Sequence, residues 1–301
     1  MGYLEVLLDA TIDTLRLLPI LLLVYLIIEF LEYKRVFQFE KSKMLCGRAS
    51  PVIGALFGSV PQCGFSIIST DLYAQRKISV GALIAVYIAT SDEALPIMLS
   101  DFHSIPALVV LMLVKIVFAI IVGYLSIFLY DKVFFKNQKP ATVVEAKPLE
   151  KQHEEGCCHH DIEPSKFEWV HPIFHSLKIL LFIFVVNLLF GTIIYFWGEE
   201  NLQNFLLSSY AWQPLLSVLI GLIPNCASSV ILTELYLAGG LSFGAVVAGL
   251  SVNAGLGLVF LFKQNKNIKE IAFILCMLVI PSLILGYALH YVPIDLLSII
   301  S

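Results

Sequence analysis

Apolar runs near residues 12–31, 50–70, 78–98, 105–130, 172–197, 211–233, 241–262 and 270–292 alternate with polar stretches along this chain. Each run approaches the ~20 residues that a helix needs to cross ~30 Å of hydrocarbon, which predicts an all-α polytopic membrane protein. The runs at 50–70 and 211–233 differ from the rest because Pro61 and Pro224 fall near their middles. Proline removes a backbone donor and disfavours helix in the residue before it, so each of these runs is predicted to be a pair of half-helices.

The two interrupted runs are copies of one another. Pro61-Gln62-Cys63-Gly64-Phe65-Ser66 returns as Pro224-Asn225-Cys226-Ala227-Ser228-Ser229, 163 positions later. In the same register Pro51, Gly58, Thr70, Tyr73, Ser79 and Gly81 meet Pro214, Gly221, Thr233, Tyr236, Ser242 and Gly244, and Gly123-Tyr124 meets Gly286-Tyr287. With a shift of one residue, Asp13-Thr14-Leu15-Arg16 lies over His175-Ser176-Leu177-Lys178. The organisation predicted is a first membrane repeat at 1–130, a linker at 131–170 and a second repeat at 171–301.

Charge orients the repeats. Lys34, Arg35, Lys41, Lys43 and Arg48 follow the first run, Arg76 and Lys77 the second, Lys132 to Lys166 the fourth, and Lys263, Lys266 and Lys269 the seventh, whereas 99–104, 198–210, 234–240 and 293–301 carry no lysine or arginine. An excess of these residues marks cytoplasmic loops. Both flanks of 50–70 are therefore predicted inside and both flanks of 211–233 outside, so that each run is a re-entrant hairpin. Three full crossings then remain per repeat, and an odd number inverts the second copy relative to the first, an arrangement typical of transporters. Both termini fall outside the cytoplasm and the linker inside. Proline-kinked spanning helices, with eight crossings and parallel repeats, are the alternative, and they would put Arg76 and Lys77 outside.

Composition agrees with a membrane protein: 58% of the 301 residues are hydrophobic and 14% charged, so the net charge of −4 says little about partners. The acidic start predicts that the first run stays as a membrane helix, not a cleaved signal. Cys46, Cys63, Cys157, Cys158, Cys226 and Cys276 lie in or between membrane runs and are expected as free thiols. The linker holds Cys157-Cys158-His159-His160, which lacks the spacing of a folded zinc site and reads as a loose metal-capturing tail or as an incidental polar tract.

Candidate substrate contacts cluster at the interruptions. Cys63, Ser66 and Thr70 share one helix face, as do Cys226, Ser229 and Thr233, although hydroxylated residues also serve ordinary helix packing in membranes. A cysteine in a helix's first turn is favoured as thiolate, a soft-metal ligand. Gln62 and Asn225 at the tips suit a substrate oxygen or frayed backbone. Thr90-Ser91-Asp92-Glu93 puts two acids inside the third run, where buried charge is costly and usually functional. Asn253 is the uncharged counterpart of Thr90. Lys115 is the obvious partner for one acid, either as a structural ion pair or as part of the transport chemistry. Asp71 and Glu234 read as solvated acids near membrane surfaces.

Pro-Gln-Cys-Gly-Phe-Ser, Thr-Ser-Asp-Glu-Ala-Leu-Pro-Ile and Pro-Asn-Cys, together with the His/Cys-rich linker, resemble the ten-helix heavy-metal exporters, a family that includes arsenic efflux proteins and manganese transporters and is similar to ArsP-type permeases. Six crossings plus four half-helices also make ten helical pieces. The resemblance covers nearly the whole chain and implies efflux of a metal or metalloid ion. Metal ligands expected on that basis are Cys63, Cys226, Asp92 and Glu93 at the centre, with Cys157, Cys158, His159 and His160 in the linker. Cysteine suits thiophilic species such as arsenic(III), and carboxylate suits a divalent metal such as Mn²⁺. A transporter of a small organic anion or amino acid, bound by half-helix N-termini, is the alternative. The expected partners are the transported ion, the lipid bilayer and, as an assembly, further copies of the chain, with no nucleic acid and no cofactor. No nucleophile–base–orienter set can be assembled, so an enzyme is not expected.

Overall fold

The computed structural model describes residues 47, 49–60, 63–91, 94–100, 104–134, 210–265 and 267–291, with isolated positions in the first and fifth apolar runs. Regular structure among the described residues is helical. In chain order the helices are α1 (Ser50–Gly58), α2 (Cys63–Ala74), α3 (Val80–Ala89), α4 (Ala94–Ser100) and α5 (Ile105–Phe134), then α6 (Gln213–Gly221), α7 (Cys226–Leu237), α8 (Phe243–Val252), α9 (Leu256–Gln264) and α10 (Ile268–His290). Each of α1, α2 and α3 reappears, with the same length, as α6, α7 and α8.

Local chemistry explains these boundaries. Pro51 and Pro214 sit in the first turns of α1 and α6, where a missing N–H has no intrahelical partner to lose. Ser79 and Ser242 cap α3 and α8 identically, their hydroxyls accepting from Ala82 N–H at 3.1 Å and Ala245 N–H at 3.2 Å. The interruptions at Pro61 and Pro224 fall where the sequence predicts. At about 1.5 Å per residue, α1 and α2 reach only about 14 and 18 Å, short of a bilayer's core.

In both copies the start of the interrupted pair lies beside its end. Ser50 Oγ is 2.6 Å from Ser79 Oγ. At the matching place Gln213 Nε2 donates to the Gly240 carbonyl at 2.9 Å, and Ser242 N–H donates to Gln213 Oε1 at 3.2 Å.

The third and seventh runs depart from the uninterrupted helices that their hydropathy suggests. α3 stops at Ala89 and α4 starts at Ala94; α8 stops at Val252 and α9 starts at Leu256. Neither break contains proline. At the second, Asn253 turns its side chain onto Gly255 N–H (3.1 Å) and Gly255 adopts φ +55°, ψ −145°, a conformation open chiefly to glycine.

Within each repeat the first half of the broken run packs between its neighbours, α3 against α1 and α5, and α8 against α6 and α10. Gly81 faces Gly123 and Gly244 faces Gly286 so closely that neither contact has room for a methyl group. Between repeats the partners are exchanged: α2 packs on α9, and α7 on α4. Two apolar clusters result, each drawing on both repeats. One joins Leu83, Tyr87 and Ile88 to Leu258, Leu261, Ile274 and Leu278; the other joins Leu108 and Leu111 to Leu232, Leu235, Val246 and Leu250.

The outer faces are equally apolar. Val109, Leu113, Val117, Ile121 and Phe128 form an exposed stripe along α5, and Ile280 and Ile284 are exposed on α10. Such stripes belong against lipid. Val80–Leu99, Ile105–Tyr130, Phe243–Gln264 and Ile268–His290 are long and apolar enough to cross a membrane.

Candidate functional site at the helix breaks

Residues that follow each proline open a helix, as the sequence predicts. Cys63 is the first residue of α2 and Cys226 the first of α7. Asn225 caps α7, its Oδ1 accepting from Ala227 N–H at 3.5 Å. Cys226 carries a free thiol, half-buried, in the first turn of α7. Ser228 Oγ donates back across the break, 2.7 Å from the Asn225 carbonyl and 3.1 Å from that of Ile223, and it accepts from Asn253 Nδ2 at 3.3 Å. The tip of the second interrupted pair and the break in the seventh run therefore touch through Ser228 and Asn253.

Hydroxyls farther along the face are engaged by their own helix. Ser229 Oγ donates to the Cys226 carbonyl at 2.8 Å, and Thr233 Oγ1 to the Ser229 carbonyl at 2.7 Å. On α2, buried Thr70 does more. Its Oγ1 lies 2.7 Å from the Ser66 carbonyl, 2.6 Å from Tyr87 Oη and 3.2 Å from the Gly257 carbonyl, which also accepts from Tyr87 Oη at 3.0 Å. Thr70 thus ties α2 to α3 and to the first turn of α9. A Cβ on Gly257 would meet Ser66 at 2.8 Å, so glycine there allows the two helices to touch.

The break in the third run is organised by Lys115, which is fully buried on α5. Its Nζ donates to the Thr90 carbonyl, to Ser91 Oγ at 2.7 Å and to the Leu250 carbonyl at 2.9 Å. Thr90 caps the C-terminus of α3, and its own hydroxyl is held by the Val86 carbonyl at 2.7 Å. Leu250 lies in the last turn of α8, where the Ala254 N–H that would ordinarily reach its carbonyl turns to Val252 instead at 2.8 Å. One ammonium therefore serves the C-terminal ends of two half-helices, one from each repeat. Orphan carbonyls and the negative dipole end both favour a cation there.

Gln62, Asp92, Glu93, Cys157, Cys158, His159 and His160 lie outside the described residues, as does the side chain of Cys63. The expected pairing of Lys115 with an acid falls on them. Among the described residues no three His, Cys, Asp or Glu side chains come together to hold a metal. Ser66 and Thr70 join Tyr87 and Gly257; Thr90 and Ser91 join Lys115 and Leu250; Asn225 and Asn253 join Ser228; Ser229 and Thr233 remain on their own helix. Tyr87, Ser228 and Leu250 were not singled out by the sequence, and Ser228 alone had a signal, lying two residues past the repeated cysteine.

Asp71 corrects the sequence expectation. It is buried, not solvated, and accepts from Gln75 Nε2 at 2.9 Å and Gln264 Nε2 at 3.4 Å. Its counterpart Glu234 is exposed as expected. Nearby, buried Glu270 accepts from Tyr130 Oη at 3.0 Å and Asn265 Nδ2 at 2.9 Å, and it lies 3.6 Å from the exposed Arg76 guanidinium. This polar cluster gathers the ends of α2, α5 and α9 with the start of α10.

Helices with lipid-suited faces and polar, broken centres define a multi-pass membrane protein of the transporter class. The chain belongs to the family described as "Putative, 10TM heavy-metal exporter", whose model matches residues 3–194 and 165–293. No curated protein and no solved structure matches it.

Proposed function

We propose that this protein is a secondary-active exporter of a soft metal or metalloid ion, built as an inverted repeat whose two hairpins re-enter the membrane from opposite sides. The observation that carries the chemistry is Cys226 at the head of α7, beside the polar junction of Asn225, Ser228 and Asn253, in a chain that belongs to a heavy-metal exporter family. Cys63 holds the matching position on α2. Sulfur is a soft ligand and suits thiophilic ions.

Contacts at both ends of α5 support the inverted architecture. The Ser50–Ser79 and Gln213–Gly240 bonds close each hairpin at its mouth, as re-entry requires. The first mouth opens toward Arg76, Glu270 and Tyr130 at the C-terminal end of α5, whereas Tyr236, Leu241 and Phe243 beside the second mouth pack with Ala107 and Leu108 at its N-terminal end. Residues 108 and 130 are 22 positions apart on α5, about 33 Å of helix, a separation that suits mouths on opposite faces of a membrane. With the positive-inside rule, the Arg76–Glu270 end is cytoplasmic.

Flux in proteoliposomes containing the purified protein tests the proposal. Arsenic(III) uptake into inside-out vesicles is expected, with Cys63→Ser and Cys226→Ser each reducing it at least about tenfold, because a hydroxyl is a hard and weakly acidic ligand. Full arsenic(III) transport by the double variant would refute the thiolate mechanism. Mn²⁺ flux in its place would move the site to the carboxylates, and flux of a small organic anion alone would move it to the half-helix N-termini.

A further inference from the structure

We propose that Lys115 is a tethered stand-in for a coupling cation: its ammonium fills, from within the protein, the place between two half-helix C-termini where a carrier built of broken helices otherwise binds a monovalent ion. The inference rests on the transporter reading for the meaning of that place. In such carriers unwound carbonyls and half-helix C-terminal ends supply the oxygens for Na⁺ or H⁺. Here those oxygens are the Thr90 and Leu250 carbonyls with Ser91 Oγ, and Lys115 Nζ already meets all three. An ammonium has three donors and no acceptor, so this set suits it.

Several features separate a stand-in from an incidental buried lysine. The side chain is completely shielded, at a depth where an uncompensated charge would be severely unfavourable. Its acceptors come from both repeats, so the cation bridges the two units instead of trimming one helix. The matching position in the second repeat is Leu278, also fully buried, so among the described residues one cation serves both C-termini. The site is consequently occupied at all times, and the protein requires no free Na⁺ or K⁺ at this position.

Thermal unfolding of the purified full-length protein tests this without measuring flux, so a wrong substrate class leaves the result unaffected. The wild type should unfold at one temperature in sodium, potassium and choline chloride of equal ionic strength. Lys115→Ala should unfold at least about 5 °C lower in choline, and n-propylammonium or sodium should restore at least half of that loss with a saturable dose response. Lys115→Met, which fills the space without charge, should stay low in every salt. A wild type that needs sodium, a Lys115→Ala loss indifferent to small cations, or a Lys115→Met protein as stable as wild type would each overturn the proposal. Should neither lysine variant accumulate, Ser91→Ala decides: a Tm lowered by a few degrees and independent of the salt supports the ammonium site, and an unchanged Tm refutes it.

Discussion

Gly257 is the residue at which packing and hydrogen bonding depend most directly on the absence of a side chain. A methyl group there would lie 2.8 Å from Ser66 Cβ and 2.9 Å from its backbone, and no rotamer of Ser66 relieves a backbone clash. Gly257→Ala should force α2 from α9, strain the contacts of Tyr87 and Thr70 with the Gly257 carbonyl, and destabilise the protein by about 1–3 kcal/mol. Thermal unfolding in detergent checks it, and an unchanged midpoint would mean that the two helices are not held in contact. At this scale the sequence was informative about where helices begin, as at the repeated cysteines that open α2 and α7, and silent where side chains recognise backbone. The pairing of Lys115 with Asp92 or Glu93 falls outside the described residues, but its other partners show what a sequence leaves out. The carbonyls of Thr90 and Leu250 leave no trace in it, since any residue supplies one.

Among the elements, the interruptions at Pro61 and Pro224 were legible because proline punctuates a helix and because the pattern occurs twice. The breaks between α3 and α4 and between α8 and α9 were not, since no proline marks them and both flanking halves are apolar enough to read as one span. Thiol accessibility on either side of the membrane tests the proposed re-entrant course. Single-cysteine reporters replacing Asp101, Glu200 and Asp295 should react with an impermeant thiol reagent in intact cells above the native background, while reporters at Arg76 and Lys147 should not. Reaction at Arg76 would reject the re-entrant first hairpin, and the converse pattern throughout would reverse the orientation.

For the whole molecule, the proposed linker at 131–170, whose first residues to Phe134 still belong to α5, would join two halves that interlock through α2 with α9 and α4 with α7. Deleting 150–162, with Cys157, Cys158, His159 and His160, should therefore weaken apparent affinity two- to fivefold, on the order of 0.5–1 kcal/mol, and leave maximal flux unchanged. Complete loss of flux from a well-expressed deletion would show that the segment belongs to the transport path. Interlocking also has a consequence for how the chain is made. Lys115 enters the membrane 135 residues before Leu250 has been synthesised, an interval of about 7–30 s at roughly 5–20 residues per second. Throughout that interval the nascent first repeat carries an ammonium that lacks one of its oxygens, together with an α2 that has no α9 to lie against. A ribosome stalled between the repeats would leave behind an incomplete product, recognisable to membrane quality control by the face of α2 that α9 would have covered.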